Sequence, residues 1–325
     1  MQRKAGAILS LFRDQDGFIS GERISRELQV SRTAIWKQVN NLRKAGYIIE
    51  AVPSQGYRLI STPDILSSEQ ITEHLTAQTI GCRLVCLSDT ASTNSDAFRL
   101  AEQGAAEGTV VLADSQASGK GRMGRIWSSP PGINLYCSVI LRPGIMPYEA
   151  PQLTFLSAVA VARAIESVTT LKPKIKWPND VLIGTGKVAG LLNEMSAETD
   201  GINFVILGIG VNLNMKNDQF PPELRHPATS LLLESGQRIS RSRFAAILFN
   251  ELDHLYSEFL IHGFGPVRAE WQQRCNAHDR ELTVSDGGME TVRGMFGGID
   301  GDGVLLVSLT DGSIIRILSG DVRVL

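Results

Sequence analysis

The segment Gln116-Ala117-Ser118-Gly119-Lys120-Gly121-Arg122-Met123-Gly124-Arg125-Ile126-Trp127 decides which kind of α/β fold surrounds it. Its glycines match the spacing of the dinucleotide-binding fingerprint and follow a predicted strand over 109–113. That fingerprint needs a helix N-terminus beneath the pyrophosphate. The residues that follow, Trp127-Ser128-Ser129-Pro130-Pro131-Gly132, cannot begin a helix of any length because of the two prolines. The sequence therefore predicts a loop between two strands.

The composition of this loop suits an anionic ligand. Glycines let the backbone approach a ligand closely, and Lys120, Arg122 and Arg125 carry positive charge for a carboxylate or phosphate. An ordinary solvated loop is the alternative interpretation. A Walker A loop is excluded at the other Gly-Lys pair, because Val188 follows Lys187. We predict a basic loop that covers a ligand and is disordered before the ligand binds.

The residues around this loop alternate between strand and helix patterns, which is typical of an α+β or α/β domain with helices packed on one sheet. The motif Ser67-Ser68-Glu69-Gln70 is a capping box that opens a helix reaching about residue 75. The pattern predicts strands over 83–87, 109–113, 135–141, 174–177, 188–195 and 204–212, and helices over 95–103 and 153–168.

Residues 17–60 have the pattern of a winged helix-turn-helix. A helix over 22–28 and a second one opening at Ser31, a good N-cap, precede two short strands that flank Pro53-Ser54-Gln55. The second helix places Ala34, Ile35, Val39, Leu42 and Ala45 on one inward stripe. With Ser31 at its start, it presents a candidate DNA-binding set of Arg32, Thr33, Lys37, Gln38, Asn41 and Lys44.

Charge is distributed unevenly along the chain. Residues 1–62 hold ten Lys and Arg against five Asp and Glu, whereas the other 263 hold 22 against 29. A basic segment on an acidic body indicates a nucleic-acid partner for that segment alone. A winged helix that serves only as a protein–protein module is the alternative. Helix-turn-helix proteins commonly read two half-sites as dimers, so DNA binding would imply a dimer.

After a helical region over 242–273, the chain changes to short alternating strands. These are predicted over 281–284, 291–295, 303–309, 314–318 and 322–324, separated by Asp-Gly turns at 286–288, 300–303 and 311–312. The segment 300–303 lacks the spacing of a calcium loop and is predicted to be a turn. The result is a small five-stranded β-barrel.

The predicted fold class is therefore α+β and multidomain, with a winged helix over 1–62, a mixed α/β domain over 63–275 and a small barrel over 276–325. No apolar run approaches the length of a membrane span, and the N-terminus has no signal-peptide pattern. We expect a cytoplasmic protein. Four cysteines without paired spacing predict neither a disulfide framework nor a protein metal site.

Four motifs in order resemble those of biotin–protein ligases. They are Ser92-Thr93-Asn94, the loop from Gln116 to Trp127, Lys176-Trp177-Pro178-Asn179-Asp180 with Gly186-Lys187-Val188-Ala189-Gly190-Leu191-Leu192, and Gly208-Ile209-Gly210-Val211-Asn212. Together with the winged helix, the resemblance spans nearly the whole chain and is to the bifunctional ligase and repressor type, whose C-terminal domain is SH3-like. The family usually has Arg where this chain has Lys120, and often Arg in place of Met123.

The resemblance implies a reaction in which biotin and ATP form biotinyl-5'-AMP, and the biotinyl group then passes to a lysine of a carrier domain. It assigns catalytic roles to Lys187, Arg122 and Asp180. The implied biotin-binding residues are Ser92, Thr93, Asn94, Gln116, Gly119, Lys120, Gly121, Arg122 and Lys187. The implied adenylate-binding residues are Arg122, Arg125, Trp127, Asn179, Asp180, Lys187 and Asn212.

The resemblance also implies the cofactors and partners. ATP and Mg²⁺ act as co-substrate and ion, biotin is a substrate, and no tightly bound prosthetic group is expected. The expected partners are a biotin carboxyl carrier protein or domain, operator DNA, and a second copy of the chain when biotinyl-AMP is bound, with no membrane. Two alternatives remain open: a lipoate–protein ligase, and a transcription factor that senses biotin without ligase activity.

Overall fold

A computed structural model describes residues 2–13, 17–44, 46–61, 64–199, 201–224, 226–285 and 292–325. The predicted turn at 286–288, the boundary at 62–63 and the inward position of Ala45 lie outside these residues. The chain divides into two compact units, Met1–Asp64 and Ile65–Leu325. The boundary between 275 and 276 stays a prediction, since both flanking segments belong to the second unit.

The first unit is the predicted winged helix with one additional helix at its start. Ser20 and Ser31 accept backbone N–H groups of Arg23 and Ala34, each at 3.2 Å, and so begin the two central helices. Ile24, Ile35 and Val39 are fully buried in a small core. The elements are α1 (Gln2–Arg13), α2 (Gly21–Leu28), α3 (Arg32–Lys44), β1 (Ile48–Val52) and β2 (Gly56–Ser61).

The first part of the second unit builds a seven-stranded sheet in the order β3-β4-β5-β9-β8-β7-β6. β3 and β4 are parallel, and the remaining neighbours are antiparallel. Its elements are α4 (Ser68–Thr72), β3 (Arg83–Thr90), α5 (Thr93–Glu102), β4 (Thr109–Gln116), β5 (Leu135–Leu141), α6 (Gln152–Val168), β6 (Lys174–Lys176), β7 (Asp180–Ile183), β8 (Gly186–Glu198) and β9 (Gly201–Val211).

Alternation along the strands gives the sheet two covered faces. Phe204 and Ile206 of β9 pack against α5, whereas Val205 and Leu207 belong to the main core beneath α6. That core also receives α7 (Leu231–Ser235), α8 (Arg241–His262) and α9 (Gly265–Arg274). Gly208 and Gly210 continue the α5 face beyond the helix N-terminus, where the sheet carries little side-chain bulk.

The C-terminal segment forms a five-stranded antiparallel sheet in the order β13-β12-β11-β10-β14. It packs on the large-sheet part of the same unit: Gln152 donates to the Gly301 carbonyl at 3.0 Å, and Leu282 and Val307 join the main core. The Asp300 carboxylate accepts two backbone N–H groups, as expected of a turn. The strands are β10 (Glu281–Ser285), β11 (Val292–Ile299), β12 (Leu305–Ser308), β13 (Ile314–Ile317) and β14 (Asp321–Val324).

The predicted fold class is confirmed, but the predicted end of one helix was wrong and some elements were missed. The predicted helical region over 242–273 is confirmed and consists of two helices, because Gly263 ends α8 with a positive φ of 69°. α4 ends at Thr72 rather than near residue 75. The helix α1 and the strand β7 were not predicted, and both owe their place to packing on neighbouring elements rather than to a strong local pattern.

Candidate functional site

A cavity of about 740 Å³ lies on the α5 face of the large sheet, beyond the N-terminus of that helix. Among the residues that line it are nearly all the predicted ligand-binding positions: Ser92, Thr93, Asn94, Gln116, Lys120, Gly121, Arg122, Arg125, Trp127, Asn179, Asp180, Lys187 and Asn212. Gly119 lies just behind this wall. Motifs separated by up to 120 residues in sequence therefore meet around one space.

The floor of the cavity is a network of neutral polar groups. The Gln116 amide oxygen accepts the Thr93 backbone N–H at 2.9 Å, and the Gln116 amide nitrogen donates to Ser129 Oγ at 2.9 Å. Ser138 Oγ donates to Asn94 Oδ1 at 2.6 Å and forms a second hydrogen bond with the Thr93 hydroxyl at 2.8 Å, in which Thr93 donates. Ser138 was not predicted, because a serine inside a buried strand gives no local signal. Such fixed donors and acceptors can orient a neutral ring that is otherwise held by apolar contacts.

The glycine-rich loop is folded back on itself as a tight turn. The Gly121 N–H donates to the Arg125 carbonyl at 2.7 Å, and the Trp127 N–H donates to the Gly119 carbonyl at 2.8 Å. A Cβ at Gly119 would lie 2.4 Å from the Trp127 carbonyl oxygen, so this close approach requires glycine. The predicted link between two strands is present, and its residues form defined hydrogen bonds.

Trp127 lies flat against two glycines of neighbouring strands. Gly190 of β8 pairs with Gly210 of β9, and Cβ atoms there would lie 2.9 and 2.6 Å from the indole. The Lys187 ammonium group sits 5.3 Å from the ring centroid, within range of a cation–π contact. The two glycines thus provide the space that positions the indole beside Lys187. This explains chemically why glycines occur in both strand motifs.

Each of three cations around the cavity is paired with a carboxylate. Lys187 Nζ lies 2.5 Å from Asp180 Oδ1, and Lys120 Nζ lies 3.3 Å from Glu194 Oε1. Arg125 Nη2 lies 2.6 Å from Asp321 Oδ2 on β14 of the small sheet. Burying a cation is costly without a partner. Each carboxylate therefore offsets the charge of a cation that can also pair with an anionic group of a bound ligand.

Lys176 is a further cation on the cavity wall that was named in a motif but not predicted to bind ligand. Burial lowers the pKa of Lys176; neighbouring Asp180 acts in the opposite direction, and Lys187 lowers the pKa further. Asp321 was also missed, because it lies some 200 residues from Arg125 and only the packing of the small sheet brings it to the cavity. The segment after β9 was missed as well, because it carries no motif that predicts a ligand site; it lines the cavity with Phe220, Pro221, Glu223, Leu224 and His226.

The two asparagines predicted to bind the adenylate, Asn179 and Asn212, both form hydrogen bonds to backbone carbonyls of neighbouring segments. Asn179 Nδ2 donates to the Leu191 carbonyl at 2.7 Å, and the Leu191 N–H donates to the Asn179 carbonyl at 3.0 Å. Asn212 Nδ2 donates to the Thr229 carbonyl at 3.1 Å. Both side chains line the cavity while fixing the strands that carry Asp180 and Lys187. A role in nucleotide contact stays a prediction for each.

In the winged helix, the predicted DNA-binding residues lie mostly on the outward face of α3. Thr33, Lys37, Asn41 and Lys44 are exposed, and Gln38 is half-buried. Arg32 forms an exposed ion pair with Glu22 at 3.1 Å, and Ser31 acts as the helix cap. Arg43 donates twice to the Ile49 carbonyl, at 3.0 and 2.7 Å, and so joins α3 to the first wing strand.

Within the described parts of the chain, no helix combines the length and apolar character that crossing a bilayer requires. In the same residues, no cluster of three His, Cys, Asp or Glu side chains has the geometry of a metal site.

Family models match each part of this architecture. The model described as the biotin/lipoate A/B protein ligase family matches residues 86–212, a helix-turn-helix domain model matches 5–58, and the biotin protein ligase C-terminal domain model matches 278–325. The bifunctional ligase/repressor BirA of Bacillus spizizenii is 42% identical over 94% of both chains. This chain belongs to the biotin–protein ligase family.

Two further proteins are similar to this chain over most of their own length. BirA of Escherichia coli, also named a bifunctional ligase/repressor, is 31% identical and covers 94% of this chain and 92% of its own. The biotin protein ligase of Aquifex aeolicus in complex with biotin and ATP has a TM-score of 0.65 at 29% identity. It covers 75% of this chain and 99% of its own.

Proposed function

We propose that this chain is an ATP-dependent biotin–protein ligase that also acts as a biotin-responsive transcriptional repressor. In the first reaction, a biotin carboxylate oxygen attacks the α-phosphorus of ATP, forming biotinyl-5'-AMP and releasing pyrophosphate. In the second, the neutral amine of a carrier lysine attacks the acyl carbon, AMP leaves, and the amine loses a proton. Relatives named as ligase and repressor, and a solved ligase complex with biotin and ATP, support this assignment.

The observation that carries the proposal is the order of groups along one cavity. Asn94, in the neutral polar floor with Thr93 and Gln116, meets β9 at Gly208. Lys187, which is paired with Asp180, meets Gly190, and Gly190 pairs with Gly210, two residues further along β9. We assign the floor, with Ser92, Asn94 and Gly119, to the ureido ring. The cation of Lys187 then lies where a carboxylate and a phosphate would repel one another, and a fixed positive charge there lowers the barrier to their approach.

The charged end of the cavity suits the nucleotide. We assign Arg122, Arg125 and Trp127 to the adenylate with Asn179 and Asn212, and Lys120 and Gly121 to closure over biotin. Asp180 offers a carboxylate to Mg²⁺, which in nucleotide sites usually takes one or two protein carboxylates together with phosphate oxygens. Mg²⁺ would offset charge on the polyphosphate. The protein's own part is to hold Asp180 and Lys187 in adjacent positions.

We assign the exposed face of α3 to operator DNA, with Lys37 and Lys44 on phosphates and Asn41 on base edges. We further propose that two copies associate when biotinyl-AMP is bound, so that two winged helices reach paired half-sites. We infer this dimer because the same chain holds one DNA-binding unit and one cavity for biotin and ATP. Ligand binding in the cavity would then regulate DNA binding.

The ligase assignment is tested by incubating the full chain with ATP, Mg²⁺, biotin and a biotin carboxyl carrier domain. We expect the carrier to gain the mass of one biotinyl group on a single lysine. The same mixture with lipoate in place of biotin should leave the carrier and a lipoyl acceptor domain unchanged. If the carrier stays unmodified in the biotin mixture, the chain is a biotin-sensing transcription factor without ligase activity. If only the lipoyl acceptor domain is modified, the chain is a lipoate–protein ligase.

A further inference from the structure

One large apolar side chain of α3 lies exposed beside the polar residues of that helix. Trp36 is 58% exposed on α3, whereas three residues on the adjoining face of the same helix, Ile35, Val39 and Leu42, are buried. Tryptophan is a large apolar residue that is highly buried on average. It was not among the residues predicted to contact DNA, because an apolar residue within a helix pattern suggests packing.

The position of Trp36 on the helix is defined by its neighbours. It follows Arg32 by one helical turn and precedes Arg43 by two, so these three side chains share a stripe. The Arg43 guanidinium is bonded to the Ile49 carbonyl at the base of the wing. Trp36 therefore faces the side of α3 next to the wing, in the N-terminal half of the helix, where recognition helices contact base edges.

We propose that Trp36 reads a thymine through its 5-methyl group when the winged helix binds duplex DNA. This inference rests on the DNA-binding function proposed above. The major groove presents a single apolar base-edge group, the thymine methyl, and an exposed indole is apolar over both faces. The surrounding charge fits the same partner, since Lys37 and Lys44 are exposed on the same helix and residues 1–62 carry a net charge of +5.

The experiment begins by finding the DNA sequence, since the chain does not reveal it. Full-length protein with biotin and ATP selects from a library of random duplexes, and each thymine of the selected duplex is then replaced by deoxyuridine. This replacement removes only the methyl group. We expect one thymine per half-site at which deoxyuridine weakens binding by about 5- to 10-fold, in the range of a single lost base contact.

Trp36→Ala should weaken binding by a similar factor and should bind the thymine and deoxyuridine duplexes equally. Trp36→Phe should retain part of the methyl preference. Tyr148→Ala removes an aromatic side chain of similar exposure, 63%, from the other unit and should keep the wild-type preference. Carrier biotinylation should be unchanged in all three variants, which shows that the second unit is intact. Trp36→Ala should also bind the deoxyuridine duplex as tightly as wild type binds it, which excludes misfolding of the winged helix as the cause of a lost preference.

A Trp36→Ala protein that retains the full penalty for deoxyuridine would overturn the inference while leaving the DNA-binding function intact. So would a Trp36→Ala protein whose only defect is a lower mass by sedimentation, because Trp36 would then belong to a protein interface. If the wild-type chain enriches no sequence from the library, the proposed DNA-binding function fails, and the reading of thymine fails with it.

Discussion

The winged helix and the ligand cavity both use basic residues, but they hold them differently. On α3, Lys37 and Lys44 point into solvent, and in the described residues neither forms an ion pair. In the cavity, Lys187, Lys120 and Arg125 are each paired with a carboxylate. Water stabilises an exposed cation and screens its field, whereas Lys187, whose side chain is 26% exposed, gains more from a nearby anion. Carboxylates paired with the cations that line a cavity therefore indicate a cavity suited to an anionic ligand.

Outside the Lys187–Asp180 pair, the largest effect is expected from disturbing the glycine pair that positions Trp127. In Gly210→Ala, the added methyl group would lie 2.6 Å from the indole nitrogen, so the indole must leave its place beside Lys187. Misplacement of about 1 Å near reacting groups costs about 100-fold in rate. Gly201→Ala on the same strand is the control, because its added methyl group meets nothing within 4 Å. Steady-state biotinylation of the carrier measures both, and equal rates would refute the role of the pair.

An intermediate effect is expected on DNA binding alone. Lys44→Ala removes one exposed cation from α3, and each phosphate contact contributes about 0.9 to the slope of log K against log salt. The slope should fall by about one, and affinity should fall about fivefold near 0.1 M salt. Lys172→Ala, an exposed lysine of the other unit, should leave the slope unchanged. An unaltered slope in Lys44→Ala would remove this lysine from the interface.

A smaller effect is expected where the small sheet contacts the loop. Asp321→Asn removes the anion that holds Arg125, and a partly exposed ion pair contributes up to about 1 kcal/mol. We expect the KM for ATP to change about threefold, with little change in the KM for biotin. The matched control is Asp302→Asn, which removes a carboxylate paired with Arg316 on the same sheet. If both variants behave alike, Asp321 acts on the fold rather than on the site.

The smallest effect concerns pH and stability. Burial lowers the pKa of Lys176 in the folded protein below its usual 10.5. Between the lowered pKa and 10.5 the unfolded chain binds more protons, so the contribution of Lys176 to stability rises with pH. Relative to Lys176→Met, wild type should gain about 2 °C in Tm between pH 7 and about pH 9.5. A constant difference in Tm across this range would show that Lys176 is not desolvated.

Local sequence was sufficient for the elements whose signals are short in range. The Ser31 cap, the apolar stripe of α3 and the Asp-Gly turns each depend on neighbours within a few residues, and they gave the winged helix and the strands of the tail. The motif residues around Thr93, Gly119 and Lys187 also proved to line one cavity. Their assembly was implied by family resemblance, since no local rule places residues 93 and 187 side by side.

The features that were missed depend on tertiary contacts. Asp321 meets Arg125, and Glu194 meets both Asn94 and Lys120, across distances in sequence that no pattern spans. Trp36 was missed for the opposite reason, because its apolar character suggested burial that the fold does not provide. Lys120, which stands where the family usually has Arg, keeps one ion pair with Glu194 but cannot form the two-pronged contact of a guanidinium.

Lys187 is expected to act on the formation of biotinyl-5'-AMP, whereas the cations of α3 are not. Biotin-dependent exchange of labelled pyrophosphate into ATP measures that step without carrier or DNA. We predict that Lys187→Met lowers the exchange rate about 1,000-fold, as expected for loss of a preorganised charge at the reacting phosphorus. Lys44→Ala and Lys172→Ala should exchange at the wild-type rate. Wild-type exchange by Lys187→Met, in protein of unchanged Tm, would contradict the account.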